Sequence, residues 1–252
     1  MKFLYHSKNE HGVHSPFVFN LLKNCFYDKK KYPEYSILKN YRNSLLKSKS
    51  TIEVTDFGAG SRTGLTKNRK VSEIANSSLK SKKFAQLLFR MINYYQPETI
   101  LELGTSLGVT SAYLASAKPD ATLITMEGSA SIASIAKNNL NQLNLKNVRV
   151  VEGNFDETLS NTLSKVQQID FAFLDGNHRY QPTIDYFNQV LEKSTENTII
   201  VIDDVHWSKE MEQAWVYIKQ HPQVTLSIDL FFIGIIFLRK EFKIKQDFVI
   251  CF

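Results

Sequence analysis

Residues 99–108, TILELGTSLG, join an apolar strand to the start of a helix through a turn that contains Gly104 and Gly108. From there on, short apolar runs alternate with helical patterns, which predicts five consecutive β/α units. Each predicted strand is an almost continuous apolar run, so helices should cover both faces of the sheet. Two strands with no helix between them follow at 223–230 and 231–240. The sequence therefore predicts an α/β fold with a doubly wound, mostly parallel, seven-stranded sheet that ends in an antiparallel strand pair.

The N-terminal part of the chain has a different charge balance. Residues 1–90 carry 18 Lys and Arg against 6 Asp and Glu, whereas residues 91–252 carry 13 against 19. We predict a basic, helical N-terminal extension over residues 1–80 and an α/β domain over residues 81–252. The surplus cations either bind an anionic partner such as RNA or keep surface helices soluble. The second interpretation is favoured because the basic residues are scattered through helical patterns.

Cysteine usage and hydropathy exclude several protein classes. The only cysteines of the 252-residue chain, Cys25 and Cys251, exclude a disulfide framework and a cysteine zinc site. The first ten residues contain no apolar run of signal-peptide length. The longest apolar run, residues 230–238, is too short to span a bilayer and favours a buried strand. We expect a cytoplasmic protein with no membrane partner, and a homodimer is one candidate assembly.

The glycine loop, residues 104–108, predicts a ligand site, because open α/β sheets bind ligands after their first strand. Its G-x-x-x-G spacing lacks the third glycine of the dinucleotide fingerprint, and the chain has no G-x-x-x-x-G-K-[ST] phosphate loop. Glu102 beside the loop would repel a pyrophosphate. It suits a cation such as the amino group of an amino-acid-like ligand.

ELGTSLG at 102–108, followed by Glu127 at the end of the second strand, resembles the class I S-adenosylmethionine-dependent methyltransferases. The resemblance covers residues 81–240 and implies that the glycine loop holds the methionine part of the cofactor. It also implies that Glu127 accepts hydrogen bonds from both ribose hydroxyls. Asn154 stands where the family often has an Asp at the adenine, and Phe155 either packs on the adenine or is a core aromatic. The implied cofactor-binding residues are Glu102, Gly104, Thr105, Ser106, Gly108, Thr110, Glu127, Gly128, Asn154, Phe155 and Asp175.

Three carboxylates follow the fourth and fifth strands of the predicted sheet. Asp175 ends FLD, and Asp203 and Asp204 end VIDD. Because parallel strands end at one edge, these side chains should converge, and three carboxylates repel one another unless a cation neutralises them. Oxygen ligands of this kind suit Mg²⁺. We therefore predict a Mg²⁺ site formed by all three. In the alternative, Asp175 accepts hydrogen bonds from loop amides while the other two point apart.

D-G-x-H-x-Y at residues 175–180 with the later D-D pair resembles the metal-dependent small-molecule O-methyltransferases, which include the catechol and macrolide-sugar groups. The resemblance implies Mg²⁺-assisted methyl transfer to a hydroxyl of a small molecule. Asp204 replaces the Asn of the catechol group but matches the Asp of the sugar group. His178 stands in the place of a lysine general base, so His178 and Asp175 are the candidate catalytic residues. His178 alternatively orients its loop.

His206 is a second candidate for the general base. Alternatively, it forms a packing pair with Trp207 at the start of a helix. The amino-methylation motif N/D-P-P-Y/F is absent after the fourth strand. The alternative function is an RNA methyltransferase that binds RNA through its basic N-terminal region.

Two further stretches imitate functional motifs. DFGAG at 56–60 resembles a first-motif loop, but a basic loop follows it rather than a helix. We assign it to the N-terminal extension. HGVH at 11–14 has two histidines at a spacing that can bind a metal, yet no further ligand is evident nearby. A loop before a helix that Ser15 caps is the favoured interpretation.

Overall fold

The computed structural model describes residues 14–54 and 68–252 of the chain. The DFGAG stretch, its basic loop and most of the HGVH motif lie outside these residues. Within the described part, contacts define two compact units. One is Asp28–Thr158, and the other combines residues 14–27 with Leu159–Phe252. The contacts thus place residues 28–54 and 68–80 in one unit with the first β/α units, and residues 14–27 in the other.

Helices and strands alternate as predicted from Thr99 onward. The helices are α1 (Pro16–Leu21, continued by a π-helical turn at Leu22–Phe26), α2 (Glu34–Leu46), α3 (Val71–Ser78), α4 (Lys82–Tyr95), α5 (Val109–Ala117), α6 (Ala130–Gln142), α7 (Phe155–Ser164), α8 (Tyr180–Leu191) and α9 (Lys209–Gln220). The strands are β1 (Thr51–Glu53), β2 (Asn68–Lys70), β3 (Thr99–Leu103), β4 (Thr122–Glu127), β5 (Val148–Glu152), β6 (Ile169–Leu174), β7 (Ser194–Asp203), β8 (Leu226–Asp229), β9 (Ile233–Phe237) and β10 (Gln246–Val249).

The unit Asp28–Thr158 contains three parallel strands in the order β3-β4-β5. Helices α2 and α4 pack against α5, which follows the glycine loop. Helix α4 begins at Ser81, whose hydroxyl accepts a hydrogen bond from the Phe84 N–H. The N-terminal region is helical as predicted but also contains an antiparallel hairpin of β1 and β2. Strand β2, with the sequence NRK, escapes prediction because it has no apolar residue.

The second unit contains five strands in the order β10-β8-β9-β7-β6. Strands β6 and β7 are parallel, and β9 is antiparallel to both β7 and β8, which confirms the predicted antiparallel pair. The predicted count of seven strands is one too low, because β10 follows the antiparallel pair and adds a parallel edge strand beside β8. Asp247 of β10 accepts hydrogen bonds from Ser227 Oγ at 2.7 Å and Lys219 Nζ at 2.8 Å. These bonds hold a strand whose own sequence has few apolar residues.

The N-terminal end of the described chain departs from one further prediction. Ser15 precedes α1 and Pro16 takes the first helical position, but the Ser15 hydroxyl makes no capping hydrogen bond. Among the described helices, none combines the length and the hydropathy that a membrane span requires.

Candidate active site

The glycine loop is a tight turn anchored to the end of β4. The N–H groups of Gly104 and Thr105 both donate to the Met126 carbonyl, at 2.9 and 3.0 Å. Gly104, Ser106 and Gly108 have φ angles of 99°, 47° and 81°. Glycine adopts these values without strain, whereas a left-handed serine costs about 1–2 kcal/mol. The surrounding contacts must therefore hold Ser106 in place.

Glu102 lies at the centre of a buried hydroxyl network. Its side chain is fully buried, and Oε2 accepts hydrogen bonds from the Ser111 hydroxyl and from Thr125 Oγ1, the latter at 2.6 Å. Thr125 Oγ1 also shares a hydrogen bond of 2.6 Å with Thr105 Oγ1. The carboxylate thus connects β3, β4, α5 and the glycine loop. These bonds support the loop, and the predicted contact of Glu102 with a ligand stays a prediction.

Glu127 ends β4 and connects two turns. Oε2 accepts a hydrogen bond from the Ser106 N–H and Oε1 one from the Ser129 N–H, each at 2.9 Å. The two N–H groups fix both oxygens of a half-buried carboxylate. An oriented carboxylate with further lone pairs on each oxygen is the acceptor that a pair of ribose hydroxyls needs. The chemistry of these residues therefore fits a nucleoside-containing cofactor.

The remaining predicted cofactor residues of this unit lie in the turns that follow β3, β4 and β5. Thr110 is buried in the first turn of α5, and Gly128 directly follows Glu127. Asn154 begins α7, since its Oδ1 accepts from the Asp156 N–H at 3.2 Å. Phe155 is half-buried at the start of that helix. Whether Asn154 and Phe155 contact an adenine stays a prediction.

The second unit brings together a cluster of potential metal ligands, here called the Asp–His cluster: Asp175, His178 and Asp203. One ligand atom from each lies within 4.8 Å of the other two. Asp175 follows β6 and Asp203 ends the neighbouring parallel strand β7, so the register of the sheet brings them together. His178 Nε2 lies 3.5 Å from Asp175 Oδ1. Asp203 is almost fully buried, whereas the other two are half-buried.

This cluster differs from the predicted set in one member. His178, which we predicted as a base, takes the place of Asp204, which is not part of the group. Strand β7 ends at Asp203, so Asp204 lies beyond the strand, in the turn that follows it. The chain also turns at Asp204, whose φ is 53°, and its N–H donates to the Phe232 carbonyl at 2.7 Å. A ligand role for Asp204 stays a prediction.

His206, the second candidate base, is enclosed by carboxylates. Its Nε2 lies 2.8 Å from Asp229 Oδ2, and its Nδ1 lies 3.3 Å from Glu212 Oε1. The hydrogen bond to Asp229 raises the pKa of His206 above its usual value. With both ring nitrogens directed at acceptors, the geometry favours a structural imidazolium over a proton acceptor. Trp207 is 52% exposed, and its packing against His206 stays a prediction.

Asp229 was not anticipated from the sequence. It is almost fully buried, and besides His206 it accepts hydrogen bonds from Trp215 Nε1 at 3.0 Å and the Phe231 N–H at 2.8 Å. Burial alone would raise the pKa of Asp229, but these hydrogen bonds outweigh it and leave the pKa below its usual value. The signal for this residue was a single acid inside an otherwise apolar stretch, LSIDLFFIGIIF.

Comparison with known proteins supports the predicted resemblance and shows the fold. A family model described as a methyltransferase domain matches residues 101–205. No curated protein sequence matches the chain. The match to the family model confirms the predicted resemblance to class I S-adenosylmethionine-dependent methyltransferases, and with it the predicted enzyme class.

Solved structures share the fold at low sequence identity. The methyltransferase PaMTH1 of Podospora anserina, solved with S-adenosylhomocysteine, has a TM-score of 0.64 at 15% identity, covering 90% of this chain and 97% of its own. An O-methyltransferase from Bacillus cereus, also with S-adenosylhomocysteine, has a TM-score of 0.59 at 19% identity, covering 86% and 94%. The O-methyltransferase TomG of Streptomyces achromogenes, solved with S-adenosylmethionine, has a TM-score of 0.59 at 19% identity, covering 92% and 99%. These likenesses show the α/β fold.

Proposed function

We propose that this chain, which carries a class I methyltransferase domain, transfers a methyl group from S-adenosylmethionine to a hydroxyl of a small molecule, assisted by a divalent cation such as Mg²⁺. The observation that carries the proposal is the Asp–His cluster, with three ligand atoms within 4.8 Å of one another. Two proteins of similar fold, from Bacillus cereus and Streptomyces achromogenes, are O-methyltransferases by name.

The cofactor half of the proposal depends on the glycine loop and Glu127. S-adenosylmethionine, when bound, supplies an electrophilic methyl group on a sulfonium. The tight turn at Gly104 and Gly108 lets a ligand approach the backbone closely. Two backbone N–H groups hold the Glu127 carboxylate, which would accept hydrogen bonds from the ribose hydroxyls of the cofactor. These residues bind and orient one reactant, and orientation supplies much of the rate in a displacement reaction.

The acceptor half depends on the Asp–His cluster. A divalent cation held there supplies a positive charge that lowers the pKa of a hydroxyl bound to it. Asp175 and Asp203 offer the oxygen ligands that Mg²⁺ prefers. The Nε2 atom of His178 can do one of two things. It either accepts the proton of the substrate hydroxyl or binds the ion, but not both. An imidazole ligand favours a transition metal over Mg²⁺, so the ion that the protein selects separates the two roles.

The test measures ion binding and turnover separately. We expect isothermal titration to detect Mg²⁺ or Mn²⁺ binding that Asp203→Asn weakens at least tenfold, whereas Asp185→Asn does not. Asp185 is an exposed carboxylate of α8 that accepts a hydrogen bond from Gln181 and serves as the matched control. Binding of S-adenosylhomocysteine should stay unchanged in both variants. With a panel of hydroxyl-bearing small molecules, chelation by EDTA should abolish methyl transfer and the divalent ion should restore it. Full turnover after exhaustive chelation contradicts the metal-assisted mechanism.

The alternative function, RNA methylation, has support from the basic balance of residues 1–90. An enzyme that contacts several phosphates binds RNA with an affinity that falls steeply as salt rises. We expect only weak RNA binding without sequence preference. Tight, sequence-selective binding that disappears on removal of residues 1–90 would favour the alternative. Cytoplasmic localisation and a homodimeric state stay predictions.

A further inference from the structure

Helix α2 of the N-terminal region contacts the glycine loop directly. The Tyr41 hydroxyl donates a hydrogen bond to the backbone carbonyl of Leu107. Both side chains are buried, so this bond forms away from water. Burial raises the pKa of Tyr41, so the phenol stays protonated and keeps its donor. A residue 66 positions away in the sequence thus fixes one peptide of the loop.

Helix α3 reaches the same loop at its last residue. Ser78 Oγ and Ser106 Oγ share a hydrogen bond of 2.9 Å. Ser78 donates its own proton to the Ile74 carbonyl at 2.8 Å, so the Ser106 hydroxyl is the donor between the two serines. Ser106 is the left-handed residue of the loop, and its N–H donates to Glu127. Glu127 therefore holds the backbone N–H of Ser106, and Ser78 holds its side chain.

The hairpin between these two helices provides a third contact. Ser131, in the first turn of α6, donates its hydroxyl hydrogen to the backbone carbonyl of Glu53 in β1. This turn follows Glu127, whose Oε1 accepts from the Ser129 N–H. Three hydrogen bonds from the N-terminal region thus reach the two turns that carry the predicted cofactor residues.

We propose that Tyr41 and Ser78 are positioning residues of the cofactor site, and that helices α2 and α3 hold the glycine loop in the conformation that binds S-adenosylmethionine. This inference rests on the proposed function. It gives the N-terminal region a role in binding the cofactor instead of RNA. Each residue acts through the loop backbone and touches no reacting atom.

The expected effect follows from the population of the binding-competent loop. The apparent dissociation constant equals the intrinsic constant divided by the competent fraction. Removal of the buried Tyr41 hydrogen bond should lower this fraction to roughly a tenth, which raises the apparent constant about tenfold. The Ser78–Ser106 hydrogen bond is exposed, so its removal should raise the apparent constant only about threefold. The loop amides should exchange faster with solvent by a similar factor, because exchange requires the open loop.

The experiment pairs each variant with a control from the same helix. Tyr41→Phe is compared with Tyr35→Phe, since the Tyr35 hydroxyl makes a long 3.5 Å contact to the Gln86 carbonyl in α4. Ser78→Ala is compared with Ser77→Ala, whose hydroxyl donates to the Glu73 carbonyl of its own helix at 3.0 Å. Calorimetry measures S-adenosylhomocysteine affinity on the full chain. Hydrogen exchange of the Ser106 and Gly108 amides measures loop opening without ligand.

We expect Tyr41→Phe to bind S-adenosylhomocysteine about tenfold more weakly and Ser78→Ala about threefold more weakly. Both variants should exchange faster at the two amides, while both controls resemble the wild type. Equal affinities and equal exchange in test and control variants overturn the inference even though the cofactor binds. If the wild type binds no S-adenosylhomocysteine, the proposed function fails and the cofactor role fails with it. Exchange then still reports whether the helices hold the loop. If Tyr41→Phe does not fold, Ser78→Ala and its control decide.

Discussion

Asp229→Asn tests the buried histidine–aspartate pair with almost no change in side-chain volume. Asparagine Oδ1 can still accept from the Phe231 N–H, as Asp229 Oδ1 does at 2.8 Å. The new amide group would then face two donors, His206 Nε2 and Trp215 Nε1, in place of the oxygen that accepts from them at 2.8 and 3.0 Å. One substitution therefore removes a charge-assisted hydrogen bond and leaves a buried indole N–H without an acceptor.

The magnitude follows from these two losses. A hydrogen bond to a charged group contributes about 1.5–3 kcal/mol, and a buried donor without an acceptor costs about 1–3 kcal/mol. The His206 side chain is 23% exposed, so water compensates part of the first loss. We expect the free energy of unfolding to fall by about 3 kcal/mol. A domain with a typical stability of about 5–15 kcal/mol stays folded after this loss.

The loss should depend on pH in a defined direction. The pKa of His206 is raised in the folded protein, so its contribution is complete below the unfolded value near 6.5 and disappears as pH rises through the folded value. The pKa of Asp229 is lowered, so its contribution is complete above the unfolded value near 3.8 and disappears as pH falls through the folded value. The destabilisation by Asp229→Asn should therefore be largest between about pH 4 and 6.5.

Urea unfolding in the presence of EDTA, followed by tryptophan fluorescence at several pH values, measures this effect. Asp247→Asn is the matched control, because Asp247 also accepts from two side chains but is 48% exposed. An exposed ion pair of this kind contributes about 0–1 kcal/mol. A loss below about 1 kcal/mol for Asp229→Asn, or the same loss at pH 5 and pH 9, refutes the interpretation of His206 as a buried imidazolium.

Two further predictions concern packing and the cofactor. Gly234→Ala places a Cβ 2.6 Å from the ring of Trp215, and the hydrogen bond to Asp229 holds this ring in place. Chemical denaturation should therefore show a loss of about 1–3 kcal/mol in the free energy of unfolding. A variant as stable as the wild type would show that the ring moves freely. Glu127→Ala should weaken S-adenosylhomocysteine binding by about 1–3 kcal/mol in calorimetry, because the ribose hydroxyls lose their acceptor. No binding of S-adenosylhomocysteine to the wild type at millimolar concentration refutes the cofactor assignment.

The sequence predicted a strand best where the residues of the strand itself determine its burial. The predicted bounds of β3 and β4 match the structure, because both are apolar runs that end at a charged or glycine-rich turn. Strands β2 and β10 were missed, since NRK and QDFV lack a continuous apolar run. Their pairing depends on a partner strand and, for β10, on contacts of Asp247 with distant side chains. Sequence patterns do not carry that information.

The residues of the candidate site also fall into those that nearby sequence indicates and those that depend on distant partners. The sequence could offer the glycine loop and Glu127 as candidates because each stands at a strand end, and their contact with a cofactor stays a prediction. Tyr41 and Asp229 escaped notice, since their partners, Leu107 and His206, lie 66 and 23 positions away. A lone tyrosine on an apolar helix face or an acid within a buried strand is visible in the sequence, but its partner is not. Such residues are therefore found only after the chain has been folded.

The local backbone conformation, and not only the side-chain chemistry, determines which residues form the Asp–His cluster. Asp203 is the last residue of β7, whereas Asp204 lies beyond the strand with a left-handed φ of 53°, and only Asp203 belongs to the cluster. The third member comes from the turn after β6 instead. There Asn177 adopts a left-handed φ of 51°, a conformation that Asn tolerates better than most residues. His178 directly follows this residue, and its Nε2 lies 3.5 Å from Asp175 Oδ1. The backbone at Asn177, more than the number of acidic residues, thus decides which groups an ion would meet.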